Sequence, residues 1–331
     1  MITRIFWTAF TLHLLSYPTL AGERTIWIDT DPACIMESTH DVDDCWAIVA
    51  ALRSKALNVV GLSTVFGNTS IEQATESARL LLHSIAMHEP VLDLPRVSPG
   101  AGRPIRNQIE RPPAVDELAK ALDTQPLTIL ALGPLTNIAM LLRTHPELIP
   151  HIEAIVAVGG QRPGHVFRVG KTPLLHLHDL NVRKDLDAFD IVLRSGIPLH
   201  LIPFEAAREV VVTGTDLSVL QQRGGLDPWL ASRSLPWLTM WENVFGANGF
   251  SPFDALAVAY LLDPDQFTCQ TEPAKIIRRH GLFVVRDTLE VSSSFHNENT
   301  VSYCSTVPIS IREAPLSVLT PPRSPLGDGQ H

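Results

Sequence analysis

From residue 25 onward the chain alternates between short apolar runs and amphipathic stretches. "TIWID" (25–29), "LNVVGLSTVFG" (57–67), "PLTILAL" (126–132), "IEAIVAVGG" (152–160) and "PLHLIPF" (198–204) read as strands, with "PVLDL" (90–94) as a shorter one. Between them, "DDCWAIVAALRS" (43–54), "SIEQATESARLLLHSIAM" (70–87), "AVDELAKALD" (114–123), "PLTNIAMLLRTH" (134–145) and "DLDAFDIVLRSG" (185–196) carry apolar residues at helical spacing. Strands that are apolar throughout are buried on both faces. The pattern therefore predicts an α/β fold, a mostly parallel sheet with helices on both faces and right-handed crossovers. Residues from about 214 to 262 read as helical and Trp-rich, and 273 to 311 as strand-like, giving a helical and strand-rich C-terminal part. No repeat and no linker divides residues 22–320, which read as one domain.

Both ends depart from this pattern. Arg4, an apolar run from Ile5 to Leu15, then Pro18 and the small residues Thr19 and Ala21 have the order of parts of a secretory signal peptide over residues 1–21. The run is shorter than the roughly 20 residues that a bilayer-spanning helix needs. The expected location is secreted or periplasmic, with no membrane association after processing. The last stretch, 321–331, reads as a disordered tail.

Composition narrows the classes. With 45% hydrophobic and 18% charged residues the chain is globular, and a net charge of -9 without a basic stripe argues against nucleic acid as a partner. Cys34, Cys45, Cys269 and Cys304 contain no CxxC pair, which weakens zinc and thioredoxin-like readings. Cys45, on an apolar helical face, reads as a plain buried thiol. Cys269 and Cys304, in strand-like segments, could be bridged in an exported protein.

In open parallel sheets, ligands bind beyond the carboxyl ends of the strands. Four predicted strands end in polar or Gly-rich turns, "DTDP", "ALGPLTN", "AVGGQ" and "IPFEAARE". The first opens a segment with five aspartates, Asp29, Asp31, Asp41, Asp43 and Asp44. Carboxylates this close repel, so they protonate or share a cation. A set of oxygen ligands without Cys or His suits Ca²⁺ or Mg²⁺ rather than Zn²⁺. The Gly and terminal Glu of an EF-hand are missing. Asp254 opens another apolar helix; a first-turn aspartate also serves the helix dipole, so alone it is not diagnostic.

Taken in order, "DTDP", "DVDD", "LGPLTNIA", "DLNVRKDLDA" and "PFDALAVAY" resemble the inosine–uridine-type nucleoside hydrolase family, over about residues 25–311. Single pieces are weak signals; five in order are strong. The resemblance implies Ca²⁺-dependent hydrolysis of the N-glycosidic bond of ribonucleosides. The family's Asp-x-Asp-Pro-Gly-x-Asp-Asp maps onto Asp29, Asp31, Asp43 and Asp44. By that mapping Asp31, Asp44, Asp254 and the carbonyl of Leu132 would hold the ion, and Asp31 would also activate the attacking water. Asp43, Asn68, Asp179 and Asn181 would line the sugar site. The partner would be a small nucleoside or related riboside, and relatives are often homo-oligomers.

Three features depart from the family pattern. "ACIMESTHDV" (33–42) replaces two residues and adds Glu37, His40 and Asp41; looping out, with Asp43 and Asp44 kept in place, is the favoured reading. Phe253 stands where many relatives have a histidine proposed to protonate the leaving base, and Phe cannot donate a proton. The loop at 98–113 lacks a His-Gly seen in many members, with His176 and His178 as candidate replacements. Base stacking could substitute, with Trp237, Trp241 and Phe245 available and Trp241 the leading candidate; a Trp stripe at helical spacing is also what a core helix shows. Two alternatives differ in class: a nucleoside- or sugar-binding protein without efficient catalysis, and a haloacid dehalogenase-type phosphatase, which "IDTDP" also fits but whose downstream acidic pair is missing.

Overall fold

The computed structural model describes residues 23–35, 41–165, 167–170, 176–177, 179–280, 285–296 and 298–319. The leader (1–21), Glu37, His40, His178 and the tail (321–331) lie outside these residues. In chain order the elements are β1 (Arg24–Thr30), α1 (Asp43–Arg53), β2 (Leu57–Thr64), α2 (Ile71–His88), β3 (Val97–Ser98), α3 (Pro113–Thr124), β4 (Leu127–Ala131), α4 (Thr136–Thr144) and β5 (Ile152–Val158). Then follow β6 (Phe167–Arg168), β7 (His176–Leu177), α5 (Leu180–Lys184), α6 (Leu186–Leu193), β8 (Leu199–Ile202), α7 (Phe204–Ala207), α8 (Gly214–Gln221), α9 (Asp227–Phe245) and α10 (Phe253–Leu262). The chain closes with β9 (Thr268–His280), β10 (Val285–Val291), β11 (Thr300–Thr306) and α11 (Ile309–Glu313).

Nine strands form one sheet in the order β10-β9-β11-β8-β5-β4-β1-β2-β3. From β3 to β11 every pairing is parallel; β9 then runs antiparallel to both β11 and β10. Helices cover both faces, as apolar strands require. The two-residue period of β1 shows it: Ile26 and Ile28 enter a core shared with α1, α2, α9 and α10, while Trp27 enters the core under α3, α4 and α6. Trp46 anchors the first core, fully buried, edge-on to Phe250 at 5.6 Å, with its indole N–H donating to Ser234 Oγ at 3.0 Å.

Three expectations are corrected. "PVLDL" is not a strand: Val91 is 91% exposed and the segment is a turn, while the edge strand β3 lies later, pairing Leu62 with Val97. Residues 309–313, inside the stretch read as strand-like, form the short helix α11, which Pro308 enters in extended conformation. Cys45 is not a free thiol. It is disulfide-bonded to Cys34 with Cα atoms 6.3 Å apart, because the turn after β1 brings Cys34 against the start of α1. Cys269 and Cys304 face each other across the β9–β11 pairing and are bridged.

Candidate active site

The strand order reverses direction between β1 and β4, with β2 and β3 on one side and β5 and β8 on the other. That switch point opens a crevice at the carboxyl ends of the strands. Asp29 and Thr30 end β1 and Asp31 follows, Asn68 lies in the turn after β2, Leu132 follows β4, and Gly159 follows β5. Asp43 and Asp44 form the first turn of α1, and Asp254 that of α10, where carboxylates meet the positive end of a helix.

Local contacts hold these groups. Asp44 Oδ1 accepts from the Thr30 hydroxyl and, at 3.0 Å, from the Asp31 amide; its Oδ2 accepts from Asn68 Nδ2 at 3.1 Å. Asp31 Oδ2 accepts from the Asn68 amide at 2.7 Å. Two glycines give Asp31 its room. A Cβ at Gly67 would sit 1.8 Å from Asp31 Oδ2, and one at Gly133 2.7 Å from Oδ1, both within atomic contact limits. Asp29 is a strut behind the site, accepting from Ser63 Oγ and, at 2.7 Å, from Asn137 Nδ2.

Asp29, Asp31, Asp43, Asp44 and Asp254 are all buried. Burial pushes Asp29 up to about 6 despite its two side-chain donors. Asp31 and Asp254 are raised by burial first and then by the Asp44 carboxylate; Asp43 is raised by burial and then by Asp41. Burial raises Asp44 too, against the donors that hold it. Half-buried Asp41 is pushed up to about 7 by the same causes, burial and Asp44. None of the ion pairs among the described residues involves these six carboxylates. Asp29 Oδ2 and Asp43 Oδ1 are buried without a hydrogen-bond partner. Uncompensated negative charge on clustered hard oxygens is what a divalent cation relieves, so the donor set Asp31, Asp44 and Asp254 fits Ca²⁺. Among the described residues no three or more His, Cys, Asp and Glu side chains form a ready-made ligand cluster.

Beside the acids lies an aromatic wall. Phe167 stacks on Phe204 at 4.3 Å, Phe204 on Phe253 at 5.8 Å, and Phe253 meets Trp241 at 6.1 Å. Trp241 in turn touches Phe245 at 5.6 Å and Trp237 at 6.1 Å. A cavity of about 420 Å³ is lined both by Asp41, Asp43, Asn68, Leu132, Asp179, Asn181, Arg183 and Asp254 and by these aromatics with Met240. A larger hollow of about 520 Å³ lies beyond Arg183, edged by Arg106, Asp187 and Arg278. There Arg106 and Arg278 both pair with Asp187, and the hollow is lined by none of the clustered acids.

Most residues singled out in the sequence thus meet at one cavity. Asp43, Asn68, Leu132, Asp179, Asn181, Trp241 and Asp254 line it, and Asp31 and Asp44 sit against Asn68 at its floor. Asp179 is held from behind, its Oδ2 accepting from the Gly160 amide at 2.6 Å and its Oδ1 from that of Val182 at 3.0 Å; burial raises it to about 6. Asn181 Nδ2 donates to the Leu132 carbonyl at 2.6 Å, tying the sugar-side amide to the expected backbone ligand. His176 falls in β7, where it pairs with Arg168 of β6. Sequence reasoning missed Phe167, Phe204, Met240 and the strut Asn137. Phe204 had a signal, since it follows a strand whose turn was already singled out; Phe167 had none.

Residues 26–307 match the family model described as inosine-uridine preferring nucleoside hydrolase. The chain belongs to this family. It is 28% identical over 263 residues to a non-specific ribonucleoside hydrolase, RihC, of Escherichia coli strain SE11, a match covering 73% of this chain and 80% of that one. A plant nucleoside hydrolase superposes with a TM-score of 0.74 at 24% identity, over 91% of this chain and all (100%) of the other. A purine-preferring ribonucleoside hydrolase from Gardnerella vaginalis gives 0.72 at 21% identity, over 89% and 98%. The chain is thus a hydrolase acting on N-glycosyl compounds, with a nucleoside hydrolase fold. The phosphatase alternative falls with this membership. In this nucleoside hydrolase the insertion leaves Asp43 and Asp44 running straight into α1, and Asp41 Oδ1 accepts from the Asp43 amide at 3.1 Å.

Proposed function

We propose that this nucleoside hydrolase cleaves ribonucleosides to ribose and free base in a Ca²⁺-dependent reaction, as an exported enzyme of nucleoside catabolism. The observation that carries the reading is a buried carboxylate cluster, outside every ion pair found among the described residues, beside an aromatic-lined cavity at the sheet's switch point. A divalent ion held by Asp31, Asp44, Asp254 and the Leu132 carbonyl would lower the pKa of a water and orient the sugar hydroxyls. Asp31, seated between two glycines and raised by burial, takes the proton from the attacking water. The free Oδ1 of Asp43 accepts a ribose hydroxyl proton, and Asn68 and Asn181 position the sugar beside it. The surrounding carboxylates stabilise the positive charge that builds on the sugar as the glycosidic bond breaks. The base lies against the aromatic wall, where ring stacking favours a flat heterocycle.

The matched relatives described as non-specific and purine-preferring ribonucleoside hydrolases support a ribonucleoside substrate. Incubation with inosine, adenosine and uridine, with ribose and free base measured as products, tests the reading. The active protein releases both in equal amounts, and Asp31→Asn abolishes release. Phe253 in place of an acid favours one second reading, a binding protein on the same scaffold; it would show saturable nucleoside binding with no ribose released. Export is supported by the two disulfides, which persist in oxidising compartments. Mass spectrometry of protein from the native host should find a chain starting near Gly22, and an intact Met1 in the cytosolic fraction would refute export.

A further inference from the structure

Trp241 is 4% exposed, and its indole N–H is buried without a hydrogen-bond partner. The indole N–H of Trp237, one helical turn earlier on α9, is buried and unpartnered as well. An orphaned buried donor is disfavoured, so two in one place call for a partner. Both side chains line the cavity. The rest of the aromatic wall, Phe167, Phe204, Phe245, Phe253 and Met240, has no donor to offer. Asn68, Asn181 and Arg183 also line the cavity with donors; among the aromatic residues, hydrogen-bond donation rests on the two indoles.

We infer that the Trp241 indole N–H, backed by that of Trp237, donates a hydrogen bond to a ring nitrogen of the leaving base and so takes the place of the acid that Phe253 cannot be. This rests on the hydrolase reading above. The bond between the anomeric carbon and the base nitrogen breaks, and its electron pair goes to the base. The water oxygen bonds to the anomeric carbon and its proton goes to Asp31. The negative charge spreads over the base's ring nitrogens, where the indole N–H stabilises it without transferring a proton; the base then takes its proton from solvent. A neutral indole donates but does not titrate near neutral pH. The donor is thus present at every working pH, unlike a histidine. Purines, with acceptor nitrogens in both rings, gain most.

Stacking and donation separate by chemistry. Replacing Trp241 with benzothienylalanine, the sulfur isostere of tryptophan, keeps the ring and removes the N–H; Trp241→Phe does the same with a smaller ring. Each is assayed with inosine and with nitrophenyl riboside, whose leaving group departs unaided. The expected result is a fall in kcat/KM for inosine of roughly tenfold, the size of a hydrogen bond to a charged acceptor, with nitrophenyl riboside changed less than about twofold. Inosine hydrolysis unchanged in the isostere, or both substrates falling equally, overturns the donor role while leaving the hydrolase reading intact. Failure of the unaltered enzyme to release ribose from either substrate overturns both.

Discussion

The two walls of the cavity obey different physics. The carboxylate wall is built from helix first turns and strand ends; burial raises its acids, and neighbouring carboxylates raise Asp31, Asp43 and Asp254 further. The aromatic wall is built from rings that meet only through packing, and its polar atoms are two indole N–H groups. In the proposed reaction the first wall serves the sugar, which all ribosides share, and the second serves the base, which differs among them. A change in the acids should therefore damage every substrate alike, whereas a change in the rings should discriminate by leaving group.

The largest effect is expected at Asp31. Asp31→Asn keeps the shape and removes the base, so kcat/KM should fall by about 10³-fold for inosine and nitrophenyl riboside alike, with an unchanged circular dichroism spectrum. Unequal losses would mean that the walls are not separable. Next is the Cys34–Cys45 bridge, which ties the turn after Asp31 to the helix turn holding Asp44. Closing so short a loop contributes about 2–3 kcal/mol. Cys34→Ser with Cys45→Ser should lower stability to denaturant by that amount, and should weaken Ca²⁺ binding measured by calorimetry while leaving the aromatic cavity able to bind free base.

The third effect follows from the raised carboxyls. Asp29 rises from 3.8 to about 6, and its buried neighbours rise too. Between these limits the folded, cation-free protein holds more protons than the unfolded chain, so its stability falls as pH rises. The penalty is absent below the unfolded value near 3.8 and complete for Asp29 above about 6. A bound cation removes it. Calorimetric scans should show Ca²⁺ raising Tm by several degrees more at about pH 7.5 than at about pH 5, at roughly 2–4 °C per kcal/mol. An equal rise at both would show the acids to be neutralised some other way. The smallest effect is expected at Asp41, which caps the Asp43 amide from the edge of the insertion. Asp41→Asn should change kcat/KM by less than about threefold, since the amide oxygen still accepts. A hundredfold loss would place Asp41 within the reacting set.

The contrast between the walls also explains what was legible in the sequence. Asp29, Asp31, Asp43 and Asp44 stand close together at a strand end and a helix start, and Asp254 opens a second helix, so local rules expose them. The parallel sheet was legible because its strands are apolar throughout. The aromatic wall draws on Phe167, Phe204, Phe253 and α9, more than seventy positions from end to end, and nothing local marks a phenylalanine as lining a cavity rather than a core. The Cys34–Cys45 bridge was hidden for the same reason: helical spacing labels Cys45 as core, and only the tertiary fold brings Cys34, in the turn after β1, beside it. "PVLDL" misled because its composition suits a strand, while the sheet edge found its partner a few residues later at Val97.

The most direct test of the account is nitrophenyl riboside hydrolysis after exhaustive dialysis against EDTA. This substrate needs no help from the aromatic wall, so only the cation and the carboxylates are on trial. The account predicts that hydrolysis stops as completely as it does for inosine, and that added Ca²⁺ restores both. Nitrophenyl riboside cleaved at the full rate without the cation would contradict it.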